Sequence, residues 1–239
     1  MAPVARVLSG QWGVLEPFQT RMSVGGQVEE LRQAIEEGGE APVTLIGHSW
    51  GAWLGFIAAA RHPGLVGKLT LISSGGFEAA HADEPDLTRL SRLTPAQRDE
   101  VARLRKELIG GGNEGRKRAF ARFGELFSMA DAYEWIPHER EPIEYRPDIF
   151  MNVWPEAAAM RASGQLLALG RSIQCPVVAI HGDYDSHPAA GVRDPLSRVL
   201  RDFRFVLLER CGHEPWVEKH AKDEFFRVLH SEIHASLPR

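Results

Sequence analysis

The residues Gly47-His48-Ser49-Trp50-Gly51 match the pattern Gly-x-Ser-x-Gly, which can hold a serine on a sharp turn. An aliphatic run precedes the motif and a small-residue helical pattern follows it. A serine between a strand and a helix is exposed, and its hydroxyl can attack a carbonyl once a base removes its proton. We therefore interpret Ser49 as the nucleophile of an acyl transfer. The two glycines are expected to remove side chains that would clash in the turn.

Two later segments place acidic and basic side chains directly after apolar runs. The segment VVAIHGDYDSHP contains Asp183 and Asp185, and the segment FVLLERCGHEPW contains His213. Side chains at the carboxyl ends of parallel strands meet at one edge of a sheet. The chain order serine, aspartate, histidine therefore predicts a triad in which His213 takes the Ser49 proton. From the residues alone, either aspartate can be the acid.

The apolar runs predict a parallel α/β sheet. Short runs rich in aliphatic residues, bounded by turn residues, are typical of buried strands. They lie at residues 4–8, 43–46, 68–73, 176–181 and 203–208. Between the first two, Val28, Leu31 and Ile35 recur at helical spacing, and Gly38-Gly39 ends that helix. Strands that alternate with helices indicate right-handed crossovers.

The regular alternation stops between residues 77 and 165, where the pattern predicts helices only. Thr94-Pro95-Ala96-Gln97 has the form of a capping box with proline at the first helical position. Its helix is expected to run to Gly110-Gly111-Gly112, and another is expected after Asn113. We predict that this segment is a helical lid inserted into one core domain. The predicted ranges are 77–165 for the lid, and 1–76 with 166–239 for the core.

Composition excludes several classes of partner. The chain has 239 residues, 44% of them hydrophobic and 25% charged, and a net charge of −4. It is long enough for one large domain, it has no excess of basic residues for nucleic acid, and no apolar run reaches the roughly 20 residues of a membrane span. The segment MAPVARVLSG lacks the pattern of a secretory signal, so a cytoplasmic location is expected. We expect a small-molecule substrate.

No metal or cofactor is predicted. The cysteines, Cys175 and Cys211, have no metal-ligand spacing and are expected to be reduced thiols. The ten histidines are scattered along the chain, and we expect no His-x-x-x-His pair with nearby carboxylates. His181 and His187, on either side of the aspartates, are interpreted as structural.

These motifs resemble those of the α/β-hydrolase fold enzymes, in the lid-bearing branch that includes proline iminopeptidases and small serine esterases. The resemblance covers nearly the whole chain: TLIGHSWGAWLGFIAAARHPGLVGKLTLISS around the nucleophile, CPVVAIHGDYD around the acid and ERCGHEPWVEKH around the base. It implies Ser49 as nucleophile and His213 as base. Because the family's acid ends a Gly-x-x-Asp pattern, it implies Asp185 rather than Asp183. Glu78 is a less favoured substitute acid.

The resemblance also implies the fold and the oxyanion donors. The expected fold is a mostly parallel α/β-hydrolase sheet that lacks the earliest amino-terminal strands and carries an inserted helical lid. One oxyanion donor is the backbone N–H of Trp50. The family's second donor comes from a His-Gly-x-x-Gly-like loop, which is absent before the serine motif.

Three explanations of that absence are open. The gene start is misplaced, the loop from Ser9 to Gly13 supplies a substitute donor, or the oxyanion is poorly stabilised. We favour a substitute, with backbone N–H groups or the Gln11 carboxamide as candidates.

The predicted substrate pocket contains His48, Trp135 and Trp154. Acidic residues of the lid either bind a substrate amine, as in proline iminopeptidases, or form a solvated face; they are Glu134, Glu139, Glu141 and Glu144. The predicted activity is hydrolysis of a small ester or amide through an acyl-enzyme. The alternatives are an iminopeptidase-like aminopeptidase and a non-catalytic binding homologue. A homodimer is one way to cover the shortened edge of the sheet.

Overall fold

A four-stranded parallel sheet forms the centre of the computed structural model, which describes residues 1–137 and 146–235. Its strands lie in the order β1 (Val43–His48), β2 (Val66–Ile72), β3 (Val177–Gly182) and β4 (Phe203–Leu208). Four of the five predicted strands are thus confirmed. His48 is aligned with Ile72 and Gly182 with Leu208, so all four strands end at the same edge of the sheet.

The prediction of a strand at residues 4–8 is wrong, because this segment belongs to helix α1 (Ala2–Leu8). Val4 and Leu8 are one helical turn apart, and both are buried in the apolar cluster that includes Ile72 and Phe225. A strand would place Arg6 on the same face as these two residues, whereas the helix turns it away. Proline in the first turn also suits a helix.

Helices cover both faces of the sheet. One core cluster contains residues of helices α2 (Val24–Gly38), α3 (Trp50–Arg61) and α9 (Ala190–Val199). The other contains residues of α1 and α10 (Lys222–His234). Strand β3 is buried on both sides: Val177 faces the first cluster and Val178 the second. This alternation is the two-residue period of a strand, and it explains why β3 reads as a continuous apolar run.

Between β2 and β3, the described residues form helices. They are α4 (Glu84–Arg92), α5 (Pro95–Gly110), α6 (Asn113–Asp131), α7 (Pro147–Ala162) and α8 (Gln165–Ala168), with short 3-10 helices at Ala79–His81 and Leu169–Ser172. The predicted capping box is confirmed, since Thr94 and Gln97 exchange hydrogen bonds at the start of α5. The lid boundaries stay a prediction. Within the described ranges, no helix is both long and apolar enough to cross a membrane.

Candidate active site

Ser49 occupies a strained turn between β1 and α3. Its φ of 53° and ψ of −117° are uncommon for a residue other than glycine. The turn is fixed by two hydrogen bonds: the Ser49 N–H donates to the Ile72 carbonyl at 3.0 Å, and the Ala52 N–H donates to the Ser49 carbonyl at 3.1 Å. Strain of this kind concentrates at functional sites. The geometry therefore agrees with the turn that the serine motif predicts.

The two glycines of the motif differ in their role. A Cβ atom on Gly47 would lie 2.1 Å from the carbonyl oxygen of Gly51, so only glycine fits at this position. A Cβ on Gly51 would meet nothing within 4 Å. The expectation that both glycines avoid a clash is therefore right for Gly47 and wrong for Gly51.

Trp50 begins helix α3, and its indole is turned toward α2. The indole N–H donates to the side-chain oxygen of Gln27 at 2.8 Å. The backbone N–H of Trp50 lies in the first helical turn, where a helix offers no acceptor of its own. Such N–H groups attract negative charge. The position of Trp50 is therefore suitable for the predicted oxyanion donor.

The structure pairs His213 with Asp185. The Nδ1 atom of His213 lies 2.8 Å from Oδ2 of Asp185, whose side chain is fully buried. Asp183 is exposed, and its Oδ1 accepts a hydrogen bond from the Cys211 N–H at 3.1 Å. The other candidate acid, Glu78, forms an ion pair with Arg198 at 2.6 Å. The carboxylate that faces the histidine is thus the one implied by the family pattern.

Charge in this pair is set by burial and by the partner. Burial alone raises the pKa of Asp185, but the facing imidazoles of His213, His187 and His181 outweigh it and hold that pKa well below its usual value. Burial lowers the pKa of His213, yet the Asp185 carboxylate outweighs burial, so the pKa of His213 is raised. Near neutral pH, Asp185 is therefore an anion that can stabilise an imidazolium.

His48 is hydrogen-bonded to the backbone carbonyl oxygen of His213. The Nε2 atom of His48 lies 2.9 Å from that oxygen, and because a carbonyl only accepts, Nε2 carries the proton. The His48 ring also lies 4.7 Å from the rings of His213 and Trp216. Burial, followed by the charge on His213, lowers the pKa of His48 well below its usual value. The structure thus places this predicted pocket residue beside His213, the predicted base.

Glu218, which the sequence analysis did not single out, joins the helical segment to the loop of His213. Its side-chain oxygens accept hydrogen bonds from the backbone N–H groups of Gly212 at 2.9 Å and of Tyr133 and Glu134 at 2.8 Å. Glu218 is only 1% exposed. A Cβ on Gly212 would lie 1.9 Å from the Asp131 carbonyl, so the two backbones approach closely. The carboxylate therefore fixes the end of α6 against the His213 loop.

We expect Glu218→Ala to lower the free energy of unfolding by about 3 kcal/mol, because it leaves three backbone N–H groups without their acceptor. Denaturant unfolding, monitored by circular dichroism, measures this change in the free energy of unfolding. The exposed Glu209 provides the control, and Glu209→Ala is expected to change stability by less than about 0.5 kcal/mol. An equal effect of the two substitutions would contradict the structural role of Glu218.

The remaining predicted pocket residues lie in different surroundings. Trp135 and His213 line a small cleft, together with Ser128, Asp131, Ala132 and Glu214. Trp154 instead stacks on Trp53, with ring centroids 5.7 Å apart, and packs between α7 and α3. Of the two tryptophans, the one that lies beside the histidine is Trp135. The role of each in substrate binding stays a prediction.

Gln11 follows α1 on the surface of the protein. Its side chain is exposed, and the ring of the adjacent Trp12 lies 5.2 Å from the rings of His230 and His234 on α10. The assignment of the Gln11 carboxamide as the second oxyanion donor stays a prediction.

The predicted amine-binding carboxylates are described only in part. Glu134 pairs with Lys219 and with His220, whose Nε2 lies 2.9 Å away, and the hydrogen bonds from these groups lower the pKa of Glu134. This carboxylate is therefore already neutralised by the chain itself. The other three, Glu139, Glu141 and Glu144, lie outside the described residues.

Three side chains of the site are of types that can bind a metal. The possible ligand atoms of Asp185, His187 and His213 lie within 4.8 Å of one another, a donor set that suits Zn²⁺. The same atoms are engaged in hydrogen bonds, so a metal would have to displace both Nδ1 protons. The expectation of no His-x-x-x-His pair is wrong, because His230 and His234 have this spacing on α10, where both pack against Trp12.

A serine on a strained strand-to-helix turn, with an aspartate and a histidine at the same sheet edge, is the arrangement of the α/β-hydrolases. Comparison with known families agrees, since residues 10–228 match the sequence model of the alpha/beta hydrolase family. This match spans most of the chain, and the protein belongs to that family.

Two relatives in these comparisons have the names of hydrolases. The chain is 25% identical over 226 residues to the pimeloyl-[acyl-carrier protein] methyl ester esterase of Neisseria meningitidis serogroup B, covering 91% of this chain and 77% of the relative. It is 26% identical over 207 residues to the monoacylglycerol lipase abhd6-B of Xenopus laevis, covering 84% and 58%. The crystal structure of the proline iminopeptidase of Mycobacterium smegmatis is similar in fold, with a TM-score of 0.57, 16% identity and coverage of 90% and 72%.

Proposed function

We propose that this protein is a serine hydrolase that cleaves a small ester through an acyl-enzyme on Ser49. The observation that carries the proposal is the placement of Ser49 on a strained turn at the sheet edge where Asp185 faces His213. The named activities of its relatives, an ester esterase and a monoacylglycerol lipase, support the same class of reaction.

The proposed reaction has two steps. In the first, His213 Nε2 takes the Ser49 proton, the serine oxygen attacks the ester carbonyl, and His213 returns the proton to the departing alcohol. In the second, His213 activates a water molecule that attacks the acyl-enzyme, which releases the acid and restores Ser49. Asp185 stabilises the imidazolium in both steps. The Trp50 N–H stabilises the oxyanion, together with a second donor.

Two features favour an ester over a peptide with a free amine. Glu134, the described member of the proposed amine-binding group, is paired with Lys219 and His220. The cleft beside His213 is also small. A short acyl group and a small alcohol suit this space.

We expect a fluorophosphonate to form one covalent adduct with the wild-type protein and none with Ser49→Ala, because only an activated serine reacts. Intact mass spectrometry measures both. Turnover of a short-chain chromogenic ester then separates a hydrolase, which releases product repeatedly, from a binding protein, which does not. Folded wild-type protein without an adduct, or an adduct that persists in the variant, would contradict the proposal.

A further inference from the structure

The buried carboxylate of Asp185 is shared by two imidazoles. Its Oδ2 lies 2.8 Å from Nδ1 of His213, and its Oδ1 lies 2.9 Å from both Nδ1 and the backbone N of His187. The His187 and His213 rings are stacked, with centroids 5.0 Å apart and planes 29° apart. One anion therefore holds two stacked histidines, one of which is the proposed base.

The hydrogen bonds fix the protonation of both rings. An ionised carboxylate only accepts, so His187 and His213 each carry a proton on Nδ1. The Nε2–H of His181 donates to the backbone carbonyl oxygen of His187 at 2.8 Å. This hydrogen bond holds the His187 backbone in place. His187 is thus fixed at both its side chain and its backbone, as a donor aimed at Asp185.

We propose that His187 is a positioning residue of the active site, which holds Asp185 through Oδ1 and competes with His213 for its negative charge. The proposal rests on the proposed serine hydrolase function, since it concerns the same base and acid. His187 acts through Asp185 and takes no proton from Ser49. Its ring is 13% exposed, similar to the 12% of His213.

The direction of the effect follows from the charges. His213 must be neutral to accept the Ser49 proton, so activity falls as the pH drops below its pKa. The Nδ1–H of His187 withdraws part of the carboxylate charge that stabilises the His213 imidazolium. Without this donor, the imidazolium is more stable and the acid limb of the kcat/KM profile moves to higher pH.

Four other titratable or charged groups lie around Asp185, His187 and His213. They are His181 at the end of β3, His48 at the end of β1, Arg89 of α4 and Asp131 at the end of α6. Arg89 and Asp131 are paired with each other at 2.8 Å. A substitution at His187 leaves all four in place, so a change in the pH profile reports the lost donor.

The test compares His187→Leu with His187→Asn. The asparagine amide nitrogen is the same number of bonds from the backbone as Nδ1 and keeps the donor, whereas leucine removes it. We expect His187→Leu to raise the acid-limb pKa by about 0.5 to 1 unit, which lowers kcat/KM about three- to tenfold below the limb. We expect His187→Asn to restore the wild-type limb. NMR titration of the His213 imidazole in each variant follows the same pKa without any turnover.

Each outcome decides between defined roles. An unchanged limb and an unchanged His213 titration in His187→Leu would show that the ring only fills space. A loss of kcat at every pH in both variants would make His187 a second base rather than a positioning residue. If the wild-type protein has no Ser49-dependent activity, the proposed function fails, and the NMR titration alone still supports or overturns the competition for Asp185.

Discussion

Replacement of Ser49 by alanine is expected to lower kcat for a short-chain ester by about 10⁴- to 10⁶-fold. Alanine keeps the turn but has no oxygen to attack the carbonyl, so no acyl-enzyme can form. The remaining donors and the cleft still bind the substrate, and KM should change little. Steady-state kinetics with a chromogenic ester, together with a thermal melt to confirm folding, measure this effect.

Ser73 provides a matched control for this experiment. It also follows a strand, β2, and also has a positive φ, of 45°, but its side chain is fully buried. We expect Ser73→Ala to retain kcat within about threefold, with stability shifted by no more than about 1 kcal/mol. Residual activity of Ser49→Ala near the wild-type level would mean that another nucleophile acts, and the proposed mechanism would be wrong.

The elements that position the site were predictable because their patterns are local. Strands β1 to β4 are apolar runs bounded by turns, and the residue types and spacing of Thr94 and Gln97 predict the cap of α5. The prediction for residues 4–8 was wrong because a short apolar run does not distinguish the period of a strand from that of a helix. Its burial of Val4 and Leu8 against α10 comes from tertiary packing, which a strand propensity does not describe.

The contacts around His213 were less predictable. The order of Ser49, Asp185 and His213 and their positions at strand ends suggested a triad, but no local pattern tells which side chains surround it. Glu218 and His48 act through backbone atoms far along the chain, at Tyr133 and His213. His187 offered one signal, since it lies two residues after Asp185, the predicted acid, where its own N–H can donate to the carboxylate.

The substitution Asp185→Asn is expected to lower kcat about 10⁴-fold while the fold is kept, an effect of the size seen when a triad carboxylate becomes an amide. An amide can turn its NH₂ group toward His213 Nδ1. His213 Nδ1 would then have to accept a hydrogen bond, and its proton would move to Nε2. A protonated Nε2 cannot take the proton of Ser49. The kinetics use the same chromogenic ester, and the fluorophosphonate should label this variant far more slowly.

Asp183→Asn is the matched control, because Asp183 lies two residues away on the same turn. Its Oδ1 accepts a single hydrogen bond from the Cys211 N–H, and the carbonyl oxygen of an amide can accept it as well. We expect this variant to keep kcat within about twofold, since exposed substitutions away from such features have small effects. If Asp183→Asn lost activity and Asp185→Asn did not, the acid would be Asp183. The buried pairing of Asp185 with two histidines would then need a purely structural explanation.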